Sequence, residues 1–194
     1  MEIQSFHEPQ SGTWTHLLAD GVEQRAAIID PVLVFDSVSG LVDTTFIDNV
    51  LNEASQSGYE LEWVLETHAH ADHLTAADLI RRRTGAKVAC SAGICGVQEN
   101  FVRVFNMTDT ETDGSQFDRL LKEGDVIKLG SLDIRVMETP GHTGDSIVYL
   151  AGNAAFIGDT LFAPAFGSAR CDFPGGDAGK LYDSIVKLYQ LPAD

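Results

Sequence analysis

Basic residues are scarce in this chain. Its 194 residues include 13 Lys and Arg against 29 Asp and Glu, a formal charge of −16 at pH 7. A sequence-independent nucleic-acid binder needs cationic side chains to neutralise phosphates, and an anionic membrane surface attracts the same groups. Both are therefore excluded as partners. Cysteine is scarcer still, with only Cys90, Cys95 and Cys171. An odd set of three makes no disulfide framework and fits a reducing cytosol. No apolar run approaches the ~20 residues that span a bilayer. The opening residues, Met1 to Glu8, lack the basic start and apolar stretch of a secretory signal. The expectation is a cytoplasmic protein. Low-complexity segments and short repeats are absent too. Hydrophobic residues make up 44%, too many for a disordered chain, and the length fits a single domain over residues 1–194.

Strand-like and helix-like segments alternate, which predicts an α/β layered domain. The run Ala26-Ala27-Ile28-Ile29, ended by Asp30-Pro31, reads as a buried strand. Thr44 or Thr45 opens a helix to about Ser57, with Phe46, Val50, Leu51 and Ala54 on one face and Gly58 as its stop. Leu61 to Leu65 alternates like a strand and runs into Thr67-His68. A second helix is expected over 74–84, closed by Gly85, then a short strand from Lys87 to Cys90. Residues 103–122 are polar and weakly periodic, so they read as a surface connection. Strands follow at 126–129, 132–137, 147–150 and 154–157, separated by glycine turns. Asp177 caps a last helix to about Tyr189.

Chemistry concentrates at Thr67-His68-Ala69-His70-Ala71-Asp72-His73. Three of the six histidines fall within six residues directly after a strand. Imidazole nitrogen and carboxylate oxygen suit Zn, Fe and related metals, and metal sites draw ligands from distant parts of a chain. Two further positions qualify: His142 in Pro140-Gly141-His142-Thr143-Gly144, and Asp159 at the end of Phe156-Ile157-Gly158-Asp159. On the residues alone, His68, His70, His142 and Asp159 form one ligand set, while Asp72, His73 and a shared Asp159 begin a second. No histidine follows His142, which leaves that second set short of a ligand and favours one metal per chain.

The pattern T-H-x-H-x-D-H, then G-H-T, then G-D-T resembles the metallo-β-lactamase fold superfamily. Within it the chain is similar to the glyoxalase II branch, and most to the persulfide dioxygenases (sulfur dioxygenases). Segments 66–74, 158–162 and Ala169-Arg170-Cys171-Asp172-Phe173-Pro174-Gly175-Gly176-Asp177 carry the likeness, the last in its bacterial β-lactamase-like hydrolase version. The resemblance implies an αββα sandwich, C-terminally shortened relative to the family, with the metal at a rim between sheets. It implies one Fe(II) per chain, held by His68, His142 and Asp159. His70, Asp72 and His73 would then orient those ligands or serve as alternative ones. The implied partners are a small thiol persulfide, glutathione persulfide first, and O2, with sulfite and glutathione as products; a homo-oligomer stays open.

Two other readings stand beside this one. A hydroxyacylglutathione (thioester) hydrolase would use two Zn or Fe per chain and metal-bound hydroxide. A non-catalytic metal-binding module needs only the ligands. Arg170 is the candidate clamp for a carboxylate of the substrate, with a structural pairing to Asp172 as the competing role. Cys171, Cys90 and Cys95 read as inert thiols. Arg81-Arg82-Arg83 reads as a solvated face, and Tyr182 and Tyr189 as packing residues.

Overall fold

The computed structural model describes residues 1–192, which form two compact units interleaved along the chain. The first unit comprises Met1–Glu66, His70–Ala89 and Ile127–Asp133; the second comprises Thr67–Ala69, Cys90–Val126 and the chain from Ile134 onward. No helix among the described residues is long and apolar enough to cross a membrane.

In the first unit, β1 (Glu2–His7), β2 (Trp14–Asp20) and β3 (Arg25–Ile29) pair antiparallel in sequence order. The chain then leaves the sheet through a small hairpin, β4 (Val32–Asp36) and β5 (Leu41–Asp43), and through helix α1 (Thr45–Gln56). It returns as β6 (Glu60–Leu65), parallel to β3. A two-residue strand β7 (Leu74–Thr75) joins β4, and helix α2 (Ala77–Thr84) leads to β8 (Lys87–Ser91), parallel to β6. Strands at the centre of such a sheet are covered on both faces, so they read as unbroken apolar runs. Ala26, Ala27, Ile28, Ile29, Val64 and Leu65 accordingly lie fully buried. Ile47, Val50 and Ala54 form the inward stripe of α1, and Ala77 and Ile80 that of α2. Gly85 ends α2 in the left-handed region, where a residue without Cβ is unstrained.

In the second unit, helix α3 (Ile94–Phe105) is followed by β9 (Arg119–Leu121), and β10 (Val126–Leu129) falls mostly in the first unit. An antiparallel meander follows: β11 (Leu132–Glu138), β12 (Ile147–Ala151) and β13 (Ala154–Phe156). It ends in a 3-10 turn at Gly158–Thr160. Helix α4 (Ala178–Leu188) begins at Asp177, whose carboxylate accepts hydrogen bonds from the Gly179 and Lys180 amides. Leu188 packs with Met137 and Val148.

Several sequence expectations shift here. The inward face of α1 is led by Ile47, with Phe46 and Leu51 only half-buried. Residues 74–75 are strand, and α2 starts three residues later than its pattern suggested. The connection expected over 103–122 is partly structured, because α3 runs to Phe105 and β9 lies within it. Tyr182 and Tyr189 are largely exposed and so do not pack as expected.

Candidate metal centre

Two short loops and the 3-10 turn converge in the second unit. His68 follows β6 directly, and the stretch 67–69 is pinned by two bonds: the Ile147 amide donates to the Thr67 carbonyl at 2.8 Å, and the Ala69 amide to Asp145 Oδ2 at 2.9 Å. Asp145 is a buried carboxylate, 1% exposed, that the sequence pattern did not single out. Its place next to the His-containing stretch, 76 residues away in sequence, arises only from the fold.

His142 lies on the loop between β11 and β12. That loop is held close to α4, because a Cβ on Gly141 would sit 2.4 Å from the Leu181 backbone at a φ of +150°. Asp159 is presented by the 3-10 turn, where Gly158 has φ +48°.

These three side chains offer one ligand atom each within 4.8 Å of one another. His68 Nε2 is 4.0 Å and His142 Nε2 3.5 Å from Asp159 Oδ2. Ligands bound about 2.0–2.2 Å from one small cation lie roughly 3–3.5 Å apart, so the spacing needs only small closure. The opposite ring nitrogens are already engaged: Thr67 Oγ1 meets His68 Nδ1 at 3.0 Å, and the Arg170 carbonyl accepts from His142 Nδ1 at 2.7 Å. A carbonyl can only accept, so in the neutral His142 ring the proton sits on Nδ1 and the lone pair on Nε2. Both imidazoles are buried, while the Asp159 side chain is 37% exposed. Donor identity, spacing and tautomer fit a divalent transition metal.

The remaining residues of the histidine stretch belong to the first unit. His70 Nε2 lies 3.1 Å from Asp30 Oδ1 and 3.3 Å from Glu66 Oε2. Thr75 also donates to Glu66. Burial pushes His70 toward its neutral form, but the charge of Asp30 and the bonds to Asp30 and Glu66 outweigh it and hold its pKa well above the usual histidine value. Burial raises the Glu66 carboxyl, against the opposing pull of His70. In the sequence Asp30 stands out only as a strand terminator, and Glu66 only as part of a motif. His70, Asp72 and His73 form a second group with ligand atoms within 4.8 Å. In it His73 Nδ1 donates to the Leu74 carbonyl at 3.0 Å, while its buried Nε2 has no hydrogen-bond partner. Asp159 therefore groups with His68 and His142, whereas Asp72 and His73 group with His70.

Arg170 makes a bidentate pair with Asp172, both contacts 2.5 Å, on an exposed surface. The Cys171 thiol is pushed up by burial and by nearby Asp177 and Asp172, the opposite of what a reactive thiolate needs.

Comparison with known proteins finds relatives along nearly the whole chain. A Beta-lactamase hydrolase-like protein of Agrobacterium fabrum is 45% identical over 99% of the chain, which spans 44% of that relative's length. The human mitochondrial persulfide dioxygenase ETHE1 is 31% identical over 99% of the chain and 65% of its own length. The crystal structure of ETHE1 from Myxococcus xanthus superposes with a TM-score of 0.78 and 33% identity, covering 99% of this chain and 72% of that one. The family model for the Metallo-beta-lactamase superfamily matches residues 25–194. The chain belongs to the metallo-beta-lactamase superfamily.

Proposed function

We propose that this chain carries the metal centre of an iron-dependent persulfide dioxygenase, with Fe(II) held by His68, His142 and Asp159. The observation that carries the reading is the composition of the group: two imidazole Nε2 atoms and one carboxylate, the donor set that leaves coordination positions open on non-haem iron. The likeness to the human and Myxococcus proteins supports it. When bound, the metal supplies adjacent open positions for a sulfur ligand and O2 and a route for electrons between them. The balanced reaction is persulfide + O2 + H2O → thiol + sulfite + 2 H⁺. The outer sulfur loses four electrons to O2, and water cleaves the sulfur–sulfur bond.

The protein's own part is positional. Thr67 and the Arg170 carbonyl hold the two rings by Nδ1, and the Ala69–Asp145 bond fixes the backbone beside His68. The half-open Asp159 side is the side from which a small substrate can approach. His70 keeps a proton at Nε2 between Asp30 and Glu66.

Anaerobic loading with Fe(II) followed by glutathione persulfide tests the assignment. The expected result is one iron per chain and one O2 consumed per sulfite formed, with His142→Ala abolishing both. Intact iron without oxygen uptake overturns it.

A second reading, a binuclear thioester hydrolase, is favoured by one observation. His70, Asp72 and His73 form a second group able to hold a metal. Two metals per chain together with hydrolysis of an acylglutathione would select it.

A further inference from the structure

The sequence points to Arg170 as a grip on substrate, yet the structure turns its segment toward His142. Four contacts converge there. The Arg170 carbonyl accepts a hydrogen bond from the His142 Nδ1–H at 2.7 Å. The Phe173 ring stands perpendicular to the His142 ring, 5.4 Å between centroids and 89° between planes. The Arg170 guanidinium lies over the same Phe173 ring at 4.8 Å while pairing with Asp172. Gly176 closes the segment from behind: a Cβ there would fall 2.3 Å from the Cys171 carbonyl oxygen and 3.1 Å from that of His142.

From these contacts we infer that residues 170–173 form a strap that positions His142, with Phe173 as its positioning side chain. The strap sets which ring nitrogen carries the proton and fixes the ring plane before a metal arrives. This rests on the reading of His142 as a metal ligand.

The magnitudes favour the ring and the main chain over the ion pair. Arg170 and Asp172 are 65% and 64% exposed, and ion pairs that open to water contribute little. Phe173 is half-buried, and the carbonyl bond it helps to aim is short. An aromatic face-to-edge contact adds to the area it buries, and it restricts rotation of the imidazole about its own axis. Main-chain proximity does the rest, since the strap is tied by Gly176 N donating to the Phe173 carbonyl and Asp177 N to the Gly141 carbonyl, both at 2.8 Å. Arg170 then acts as a brace on Phe173.

Partners that orient a metal-binding histidine typically change metal affinity 10–100-fold when lost. The test uses the metal-free and zinc-loaded full chain. Imidazole ¹⁵N shifts of metal-free protein should show His142 as a single Nδ1–H tautomer. Phe173→Leu, which keeps apolar bulk, should yield a tautomer mixture and a zinc affinity about 10-fold or more weaker by chelator competition. Phe173→Tyr should restore both. Gly176→Ala, which displaces the strap by contact with Cys171, should act in the same direction as Phe173→Leu. A folded Phe173→Leu protein with an unchanged His142 tautomer and zinc affinity within about twofold of the parent overturns the strap. Neither readout needs turnover: a chain that gives the expected shifts and affinities but consumes no oxygen fails the dioxygenase reading and sustains this one.

Discussion

Replacing Gly158 by alanine probes how tightly the turn carrying Asp159 is packed against the strand end carrying His68. A Cβ at this position would sit 2.4 Å from Thr67 Oγ1 and 2.9 Å from Thr67 Cβ, and the backbone has φ +48°. Two costs add. A side chain in the left-handed region costs roughly 1–2 kcal/mol, and forcing a methyl into a filled space costs roughly 1–3 kcal/mol. The sum is roughly 2–5 kcal/mol, a large share of a marginal stability. Thr67 cannot move freely, because it is 1% exposed and its hydroxyl engages His68 Nδ1 at 3.0 Å. The overlap is therefore specific to one partner and can be relieved in part, since alanine at 67 removes the Oγ1 contact and keeps the Cβ one. Thr67→Ala alone should cost about 1–2 kcal/mol through a lost hydrogen bond and lost packing. The double variant should be about 1–2 kcal/mol more stable than additivity of the single changes allows. Urea unfolding of metal-free protein, followed by circular dichroism and tryptophan fluorescence, measures all four corners of the cycle. A Gly158→Ala protein within about 0.5 kcal/mol of the parent would refute the packing argument, and so would strict additivity.

Two further perturbations follow from hydrogen bonds outside the centre. Asp177→Ala removes the acceptor for the Gly179 and Lys180 amides at the start of α4 and should cost about 1 kcal/mol, with Asp177→Ser retaining most of it; unfolding midpoints of the three proteins decide. Asp20 is held down at about 2 by the Ser131 hydroxyl and amide. Because its folded pKa lies below its unfolded one, its contribution is present above about pH 4 and is lost as pH falls through about 2. Asp20→Asn should flatten the acid limb of the stability profile in that window, and acid limbs that run parallel would count against it.

Much of the architecture is legible in the sequence because local and tertiary demands agree there. The apolar run at 26–29 has no alternative to burial, and Asp177 sits where its carboxylate can reach two free amides. What escapes is structure set by partners elsewhere. Helix α3 has Gly93 at its start without a side-chain cap, so its first turn carries no strong local signal, and its stop rests on Asn106 in the left-handed region. Ile94, Val97, Phe101 and Phe105 recur at helical spacing, but only Ile94 is buried, and the polar residues that follow do not continue the pattern. The residues 74–75 look like the first turn of a helix, yet they pair with Val32 and Leu33, more than 40 positions earlier.

The histidine stretch shows the same limit at the centre. Spacing alone puts His68 and His70 on one side of an extended chain, as ligands of one metal. The structure sets His70 beside Asp30 and Glu66, both buried, and a buried carboxylate needs a compensating charge. His70 is that charge, at 3.1 and 3.3 Å. The two roles separate cleanly in metal-free protein. A residue that serves only as a ligand contributes there through its own packing and hydrogen bonds and balances no buried charge. Removing a buried counter-charge instead leaves two buried carboxylates without it, and breaking such a pair costs roughly 3–5 kcal/mol. His70→Ala should therefore destabilise the metal-free chain by an amount in that range at pH 7, and the loss should depend on pH, whereas His142→Ala, which removes one hydrogen bond and a ring contact but no buried counter-charge, should not show that dependence. The sign with pH follows from the raised His70 and Glu66 values. The stabilisation from a protonated His70 is full below its unfolded pKa and fades as pH rises through the higher folded one. The gap between parent and His70→Ala should accordingly narrow on the alkaline side in denaturant titrations run across pH. A metal-free His70→Ala protein as stable as the parent would return His70 to the role of ligand.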